Sequence, residues 1–174
     1  APPLLDAADF AAIVAEMAAF DAEREVVIKR SRDVQKAAKQ AIFALHRGSA
    51  NEAAMRLAAA AGGIADLLPL VRAKPPLRHG SFAAAMEEYA EAVIFRVYVE
   101  EGRLAARADV PGCEAEEYLG GLLDFTGELM RVAVNRAARR DVAYTERARD
   151  AVEQVHGAFL QLDLRNGQLR KKMV

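Results

Sequence analysis

DAADFAAIVAEMAAFDAEREVVIKRSRDVQKAAKQAIFALH (6–46) is a run in which Phe10, Ile13, Met17, Phe20, Val27, Val34, Ala38, Ile42 and Leu45 keep a roughly helical spacing. The spacing predicts one helix, opened by Asp6 as its cap and closed where Arg47 and Gly48 supply a stop signal. At about 1.5 Å per residue such a helix is on the order of 60 Å long. It is too long to bury its own apolar stripe and needs partners along its whole length. Helix formers dominate the rest of the chain, and no run of alternating β-branched residues bounded by turns occurs. The expectation is an all-α protein, an elongated antiparallel bundle of about six to seven helices.

Outward from that run, Ser49 with Glu52 in SANE (49–52) reads as a capping box opening a second helix that reaches to about Leu68, before Pro69. Gly62 and Gly63 weaken its middle. The stretch PLVRAKPPLRHG (69–80), with its three prolines, reads as a linker. Ser81 is expected to cap a third helix ending near Glu101, with Gly102 as its stop. After the connection ADVPGC (108–113), a fourth helix is expected from about Ala115 to Arg139 and a fifth from about Thr145 to Leu162. LRNGQLRKKMV (164–174) begins another and stops at once. The whole of 1–174 reads as a single domain from which a last C-terminal helix is missing.

A chain of 174 residues can bury a core without disulfides, and the lone Cys113 cannot pair within it, which points to a reducing compartment, the cytosol. No charged segment followed by an apolar one opens the chain, and charge interrupts each apolar stretch well short of ~20 residues, so neither secretion nor membrane insertion is expected. The net charge is −1, from 24 basic and 25 acidic residues, so bulk electrostatics do not announce a nucleic-acid binder. The distribution is more informative. Basic residues gather at Arg30, Arg32, Lys36, Lys39 and Arg47, at Arg136, Arg139 and Arg140, and at Arg165, Arg170, Lys171 and Lys172.

Four carboxylates stand out in EEYAEAVIF (87–95) and DFTGELMRVAVN (124–135). Glu88 and Glu91 share one helical stripe, Asp124 and Glu128 another, and only Glu128 has a Lys or Arg three or four residues away. Such uncompensated acids repel one another, and Mg²⁺ or Mn²⁺ would offset the cost, because hard cations take oxygen ligands. Glu91 also flanks Ile94 and Tyr98, so it should gain a counter-cation or shift its pKa upward. Gly120 and Gly127 lie on the Asp124 side of the fourth helix at a cost of roughly 1 kcal/mol each, which implies close approach by a helix, a metal or a substrate. Glu100, Glu101, Glu114, Glu116 and Glu117 read as surface charges, Tyr89 and Phe125 as core. His46, His79 and His156 read as capping, linker and partly buried polar residues; none forms the Glu-x-x-His motif of a di-iron bundle. No Gly-rich phosphate loop, Ser/His/Asp arrangement or zinc spacing is present.

SRDVQKAAKQAIFALHR (31–47), EEYAEAVIFRVYVEEGRL (87–104), EEYLGGLLDFTGELMRVAVNRAARRD (116–141) and LRNGQLRKKM (164–173) together carry a likeness. The chain resembles the translin/Trax family of all-α proteins that bind single-stranded nucleic acid. Because all four acids are present, it is nearer the Trax nuclease branch than translin, as a prokaryotic Trax-like chain. The resemblance implies an Mg²⁺-dependent endoribonuclease acting on single-stranded RNA, or DNA, inside a homo-oligomeric shell, an octamer in the family. Glu88, Glu91, Asp124 and Glu128 are then the metal and catalytic ligands, and Lys39, Arg47, Arg78 and Arg131 hold phosphates. Two alternatives are a non-catalytic binding module of the translin type and an all-α nucleotide pyrophosphohydrolase. The latter is suggested by the Glu-Glu-x-x-Glu of EEYAE, but DFTGE offers Asp-x-x-x-Glu where that class wants Glu-x-x-Asp.

Overall fold

Asp6 opens the first helix as expected: its carboxylate accepts hydrogen bonds from the N–H groups of Ala8 and Asp9 at 2.9 and 3.1 Å. From there α1 (Ala7–His46) runs without a break. The computed structural model describes residues 3–165 and 167–173. Among these it contains five further α-helices and no strand: α2 (Ala50–Ala73), α3 (Ser81–Glu101), α4 (Ala115–Ala138), α5 (Val142–Phe159) and α6 (Gln168–Met173). Two 3-10 turns, Pro75–Arg78 and Arg107–Asp109, bracket α3. The all-α reading holds.

Four local expectations change. Ser49 precedes α2 but makes no side-chain capping bond, and the Glu52 carboxylate, the other half of the expected box, is turned to Arg47, 2.6 Å away. Pro69 does not end α2, and residues 69–73 are helical rather than linker. Proline deprives the carbonyl of Ala65 of its donor, but Ala65 and Pro69 both face solvent, while Leu67 and Val71 on the opposite side are buried and hold the last turn in place. Gly80 at φ 81°, rather than Ser81, occupies the cap of α3. The turn between α4 and α5 is tight: Arg140 adopts φ 62°, and the Asp141 side chain then accepts from the Tyr144 N–H, so α5 starts at Val142.

The core lies where the C-terminal half of α1 (Val27, Val34, Ala38, Ala41, Ile42) meets α2 (Leu57, Ile64, Leu67) and α3 (Phe82, Met86, Ile94, Phe95). Phe125 and Leu129 bring α4 onto α3, and Ala148, Val155 and Phe159 bring α5 onto the bundle. Tyr89 and Phe125 are core residues, as their spacing implies. By length and composition α2 could cross a membrane, with a mean hydropathy of 1.5 over its most apolar window; here its apolar face packs on α1 and α3. The first three turns of α1 are left uncovered by the described residues: Phe10, Ile13 and Met17 remain 50, 43 and 64 % exposed.

The α3–α4 contact is set by two glycines. A Cβ on Gly121 would sit 2.7 Å from the Glu87 carbonyl oxygen and 2.8 Å from the Glu91 nitrogen, so α4 lies directly on the backbone of α3. A Cβ on Gly120 would strike the Glu87 side chain. Gly127, by contrast, meets nothing within 4 Å. Gly121→Ala is therefore expected to destabilise the fold by about 1–3 kcal/mol through overpacking. Gly127→Ala gains helix propensity of up to ~1 kcal/mol. Urea unfolding midpoints of the two variants, moving in opposite directions from wild type, check both.

Candidate metal and nucleic-acid site

Because α4 lies on α3 at Gly121, the i, i+3 pair Glu88 and Glu91 faces the i, i+4 pair Asp124 and Glu128 across one cleft of about 700 Å³. α1 closes a third side with Lys39, Ile42, Phe43 and His46, and α6 contributes Lys172. The structure thus brings all four expected carboxylates together, along with Lys39 and Arg131.

Each acid but one has a cation. Lys39 Nζ is 3.7 Å from Glu88, and Arg131 is 3.7 Å from Glu128. Glu128 is also hydrogen-bonded to His46 Nε2. Lys172 reaches back from α6 to bridge Asp124, at 2.5 Å, and Glu87. Hydrogen bonds to Asp124 and Glu87 outweigh the effect of burial on Lys172 and raise its pKa. Glu91 alone has no cationic partner among the described residues, and it is 7 % exposed. Burial, and after it the charges of Glu88, Asp124 and Glu128, push its carboxyl up to about 8. Burial also raises Glu87 and Glu88, against the opposing pull of Lys172 and Lys39.

The chemistry of this donor set fits a hard divalent cation: oxygen ligands only, one of them buried and unpaired. As the side chains stand, no three acids, histidines or cysteines among the described residues converge closely enough to hold one. The counter-charges here are instead the interleaved amines and guanidinium.

Arg78 is not brought to this cleft. It is buried beneath α3, with its Nε 2.9 Å and Nη2 2.6 Å from the two oxygens of Glu117 and Nη2 2.8 Å from the Gly112 carbonyl. Glu117 in turn is 6 % exposed and is not a surface charge. Arg47 lies in an adjoining groove, stacked on Phe43 and paired with Glu52. Two site residues escape a local reading. His46 is seven residues from Lys39, on the same face of α1, a spacing that marks it in retrospect. Lys172 enters only through the docking of α6 on α4, for which the sequence holds no local signal. A larger cleft, about 1180 Å³, lies on the far side of His46 and is lined by Tyr98, Arg136, Arg139, Tyr144 and Arg147; among the described residues Asp150 is its only acid, whereas the smaller cleft gathers Glu88, Glu91, Asp124 and Glu128.

With this geometry in view, known proteins supply the context. The Translin family pattern matches residues 22–174. The chain belongs to the Translin family. Among curated proteins, Translin of Gallus gallus is 33 % identical over 91 residues, a match covering 45 % of this chain and 40 % of that protein's length. Among solved structures, apo-NeC3PO superposes with a TM-score of 0.84 at 20 % identity over 98 % of this chain and 90 % of that one. AfC3PO gives 0.84 at 22 % identity over 95 and 87 %, and its complex with duplex RNA gives 0.78 at 23 % identity over the same shares. At these identities the likeness establishes the translin-like helical fold.

The pH dependence of stability follows from Glu91. Its folded pKa lies above the unfolded value of 4.5, so the folded chain binds more protons than the unfolded chain between those two values. Stability therefore falls as pH rises from about 4.5 to about 8, by up to a few kcal/mol. Glu91→Gln is expected to melt higher than wild type at pH 8 in chelator, with the gap closing toward pH 5. Thermal melts at the two pH values check this.

Proposed function

We propose that this Translin-family chain binds single-stranded nucleic acid and cleaves RNA internally, with Mg²⁺ or Mn²⁺, in the cytoplasm, as a homo-oligomer larger than a dimer and octameric by family analogy. The observation that carries the reading is Glu91: a buried carboxyl with no cationic partner among the described residues, gathered with three more acids in an open cleft that Lys39 and Arg131 also line. The fold likeness to AfC3PO, which has been solved with duplex RNA, supports the nucleic-acid part.

Glu88, Glu91, Asp124 and Glu128 would hold the cation, which when bound supplies Lewis acidity and an activated water at a phosphodiester. Around it, the side chains divide the work. Lys39 and Arg131 lie on opposite walls of the cleft and bind phosphate oxygens of the strand. His46, hydrogen-bonded through Nε2 to Glu128, fixes the position of that carboxylate. Lys172 neutralises Asp124 and Glu87, so its ammonium and a divalent ion compete for the same carboxylate. Asp124→Asn keeps the side chain's shape and removes its charge. It is expected to abolish Mg²⁺-dependent cleavage of a single-stranded RNA while changing its affinity by less than about threefold; wild-type turnover in the purified variant would remove the metal assignment.

A second reading is a binding module without turnover, favoured by Lys39, Arg131 and Lys172, which already pair with three of the four acids. Cleavage that appears with Mg²⁺ and vanishes with chelator separates the two.

The exposed stripe at Phe10, Ile13 and Met17 supports the oligomer, because an apolar face of that length on a helix needs a partner. Ile13→Glu combined with Met17→Glu is expected to reduce the mass measured by light scattering at micromolar concentration. An unchanged mass would place the subunit contact elsewhere.

A further inference from the structure

Arg32, Lys36, Lys39, Phe43 and Arg47 follow one another at steps of four, three, four and four residues, so they form one stripe along α1. The stripe is roughly 22 Å long at 1.5 Å per residue. Together with Arg56 of α2 it lines a groove of about 560 Å³ whose one acid, Glu52, is already paired with Arg47. The Arg56 Nε is buried there without a hydrogen-bond partner among the described residues.

Phe43 stands in the middle of this cationic groove. Ala41, Ile42, Ala44 and Leu45 beside it are all buried, whereas Phe43 is 59 % exposed and contributes little to the core. The guanidinium of Arg47 lies 4.7 Å from its ring centroid, which orients the ring. The same ring borders the carboxylate cleft, as does Lys39, so groove and cleft are continuous at these two residues. A row of cations attracts a polyanion, and an open aromatic face offers a seat to a flat, unpaired ring. Single-stranded nucleic acid combines both chemistries.

We propose that Phe43 is a base-stacking platform: one unpaired base lies on its ring beside Arg47, flanking phosphates lie on Arg32, Lys36 and Arg56, and the next phosphodiester is thereby set over the four acids. The proposal rests on the nucleic-acid reading above and adds to it a residue that positions the strand. It also supplies a physical basis for strand selection, because the bases of a duplex are already stacked on each other and cannot occupy the ring.

The chain contains no Trp, so Phe43→Trp introduces a single indole fluorophore. The full chain would be titrated in chelator with single-stranded oligouridylate, a duplex RNA of equal length, and inorganic polyphosphate. Oligouridylate is expected to quench the indole, polyphosphate to leave it unquenched, and the duplex to quench it far less. Phe43→Ala is expected to weaken oligouridylate binding at least about fivefold, the equivalent of ~1 kcal/mol per stacked base, and Phe43→Tyr to restore it. The slope of log affinity against log salt should be unchanged in Phe43→Ala and fall by ~0.7 for Lys36→Ala, since only the latter loses a phosphate contact. Unquenched indole and unaltered affinity in Phe43→Ala, while wild type binds by fluorescence anisotropy, would overturn the platform alone. A wild type that binds no strand at all would overturn the nucleic-acid reading and the platform with it. A changed assembly mass in Phe43→Ala would mark the ring as a subunit contact and also overturn the platform.

Discussion

The close approach of α4 to α3 at Gly121 is the contact on which the site depends. With no Cβ in the way, the α4 backbone comes within ordinary contact distance of Glu87 and Glu91, and Asp124 and Glu128 then face Glu88 and Glu91 one turn further along. A larger residue there would push the helices apart and widen the cleft before it unfolded anything, because packed interiors transmit such displacements. Gly120 serves the same contact by leaving room for the Glu87 side chain, which crosses α4 to meet Lys172. The electrostatics of the site are therefore a consequence of backbone packing: two helices that touch at glycine hold two acid pairs closer than the acids themselves would choose.

That proximity is costly, and the ways it is offset differ across the cleft. Lys39 takes Glu88, His46 and Arg131 share Glu128, and Lys172 bridges Asp124 and Glu87, at partly exposed positions where a pair contributes little net stability. Glu91 is too deep for any of them, and its carboxyl stays protonated to a pH near 8. The other deep acid, Glu117, shows what full compensation looks like. Arg78 meets both of its oxygens, its own carboxylate accepts from the Glu114 N–H, and the pair serves only to hold the α3–α4 connection. Arg78–Glu117 is a finished structural pair; Glu91 is buried with no cationic partner among the described residues. The contrast separates architecture from chemistry within the same pair of helices.

Much of this was legible because helical periodicity is a local property. The length of α1, its cap at Asp6, the stop at Gly102 and the pairing of four acids on two helix faces all follow from spacing alone. The errors came where tertiary contacts decide. Pro69 is a helix breaker by rule, yet an exposed proline opposite a buried Leu67 and Val71 costs one solvent-facing hydrogen bond and keeps its helix. Arg78, expected from the resemblance to hold phosphate, is committed to an acid 39 residues away, and no local pattern announces that. His46 looked like an end-of-helix polar residue, but its stacking on Phe95 and its bond to Glu128 make it a wall of the cleft.

α1 resolves these constraints by doing different work along its length. Its first three turns carry apolar residues that the described residues leave uncovered; its second half is core on one side and a cationic stripe on the other. A single-chain globular domain would gain nothing from extending a helix past its own core, since unsupported turns add entropy cost without burial. An assembled protein would, because the projecting half can reach a neighbouring copy while the embedded half presents Lys39, Phe43 and Arg47 to a strand. A near-neutral chain could then build a basic surface by collecting stripes from several copies, which would reconcile a net charge of −1 with the proposed binding of a polyanion.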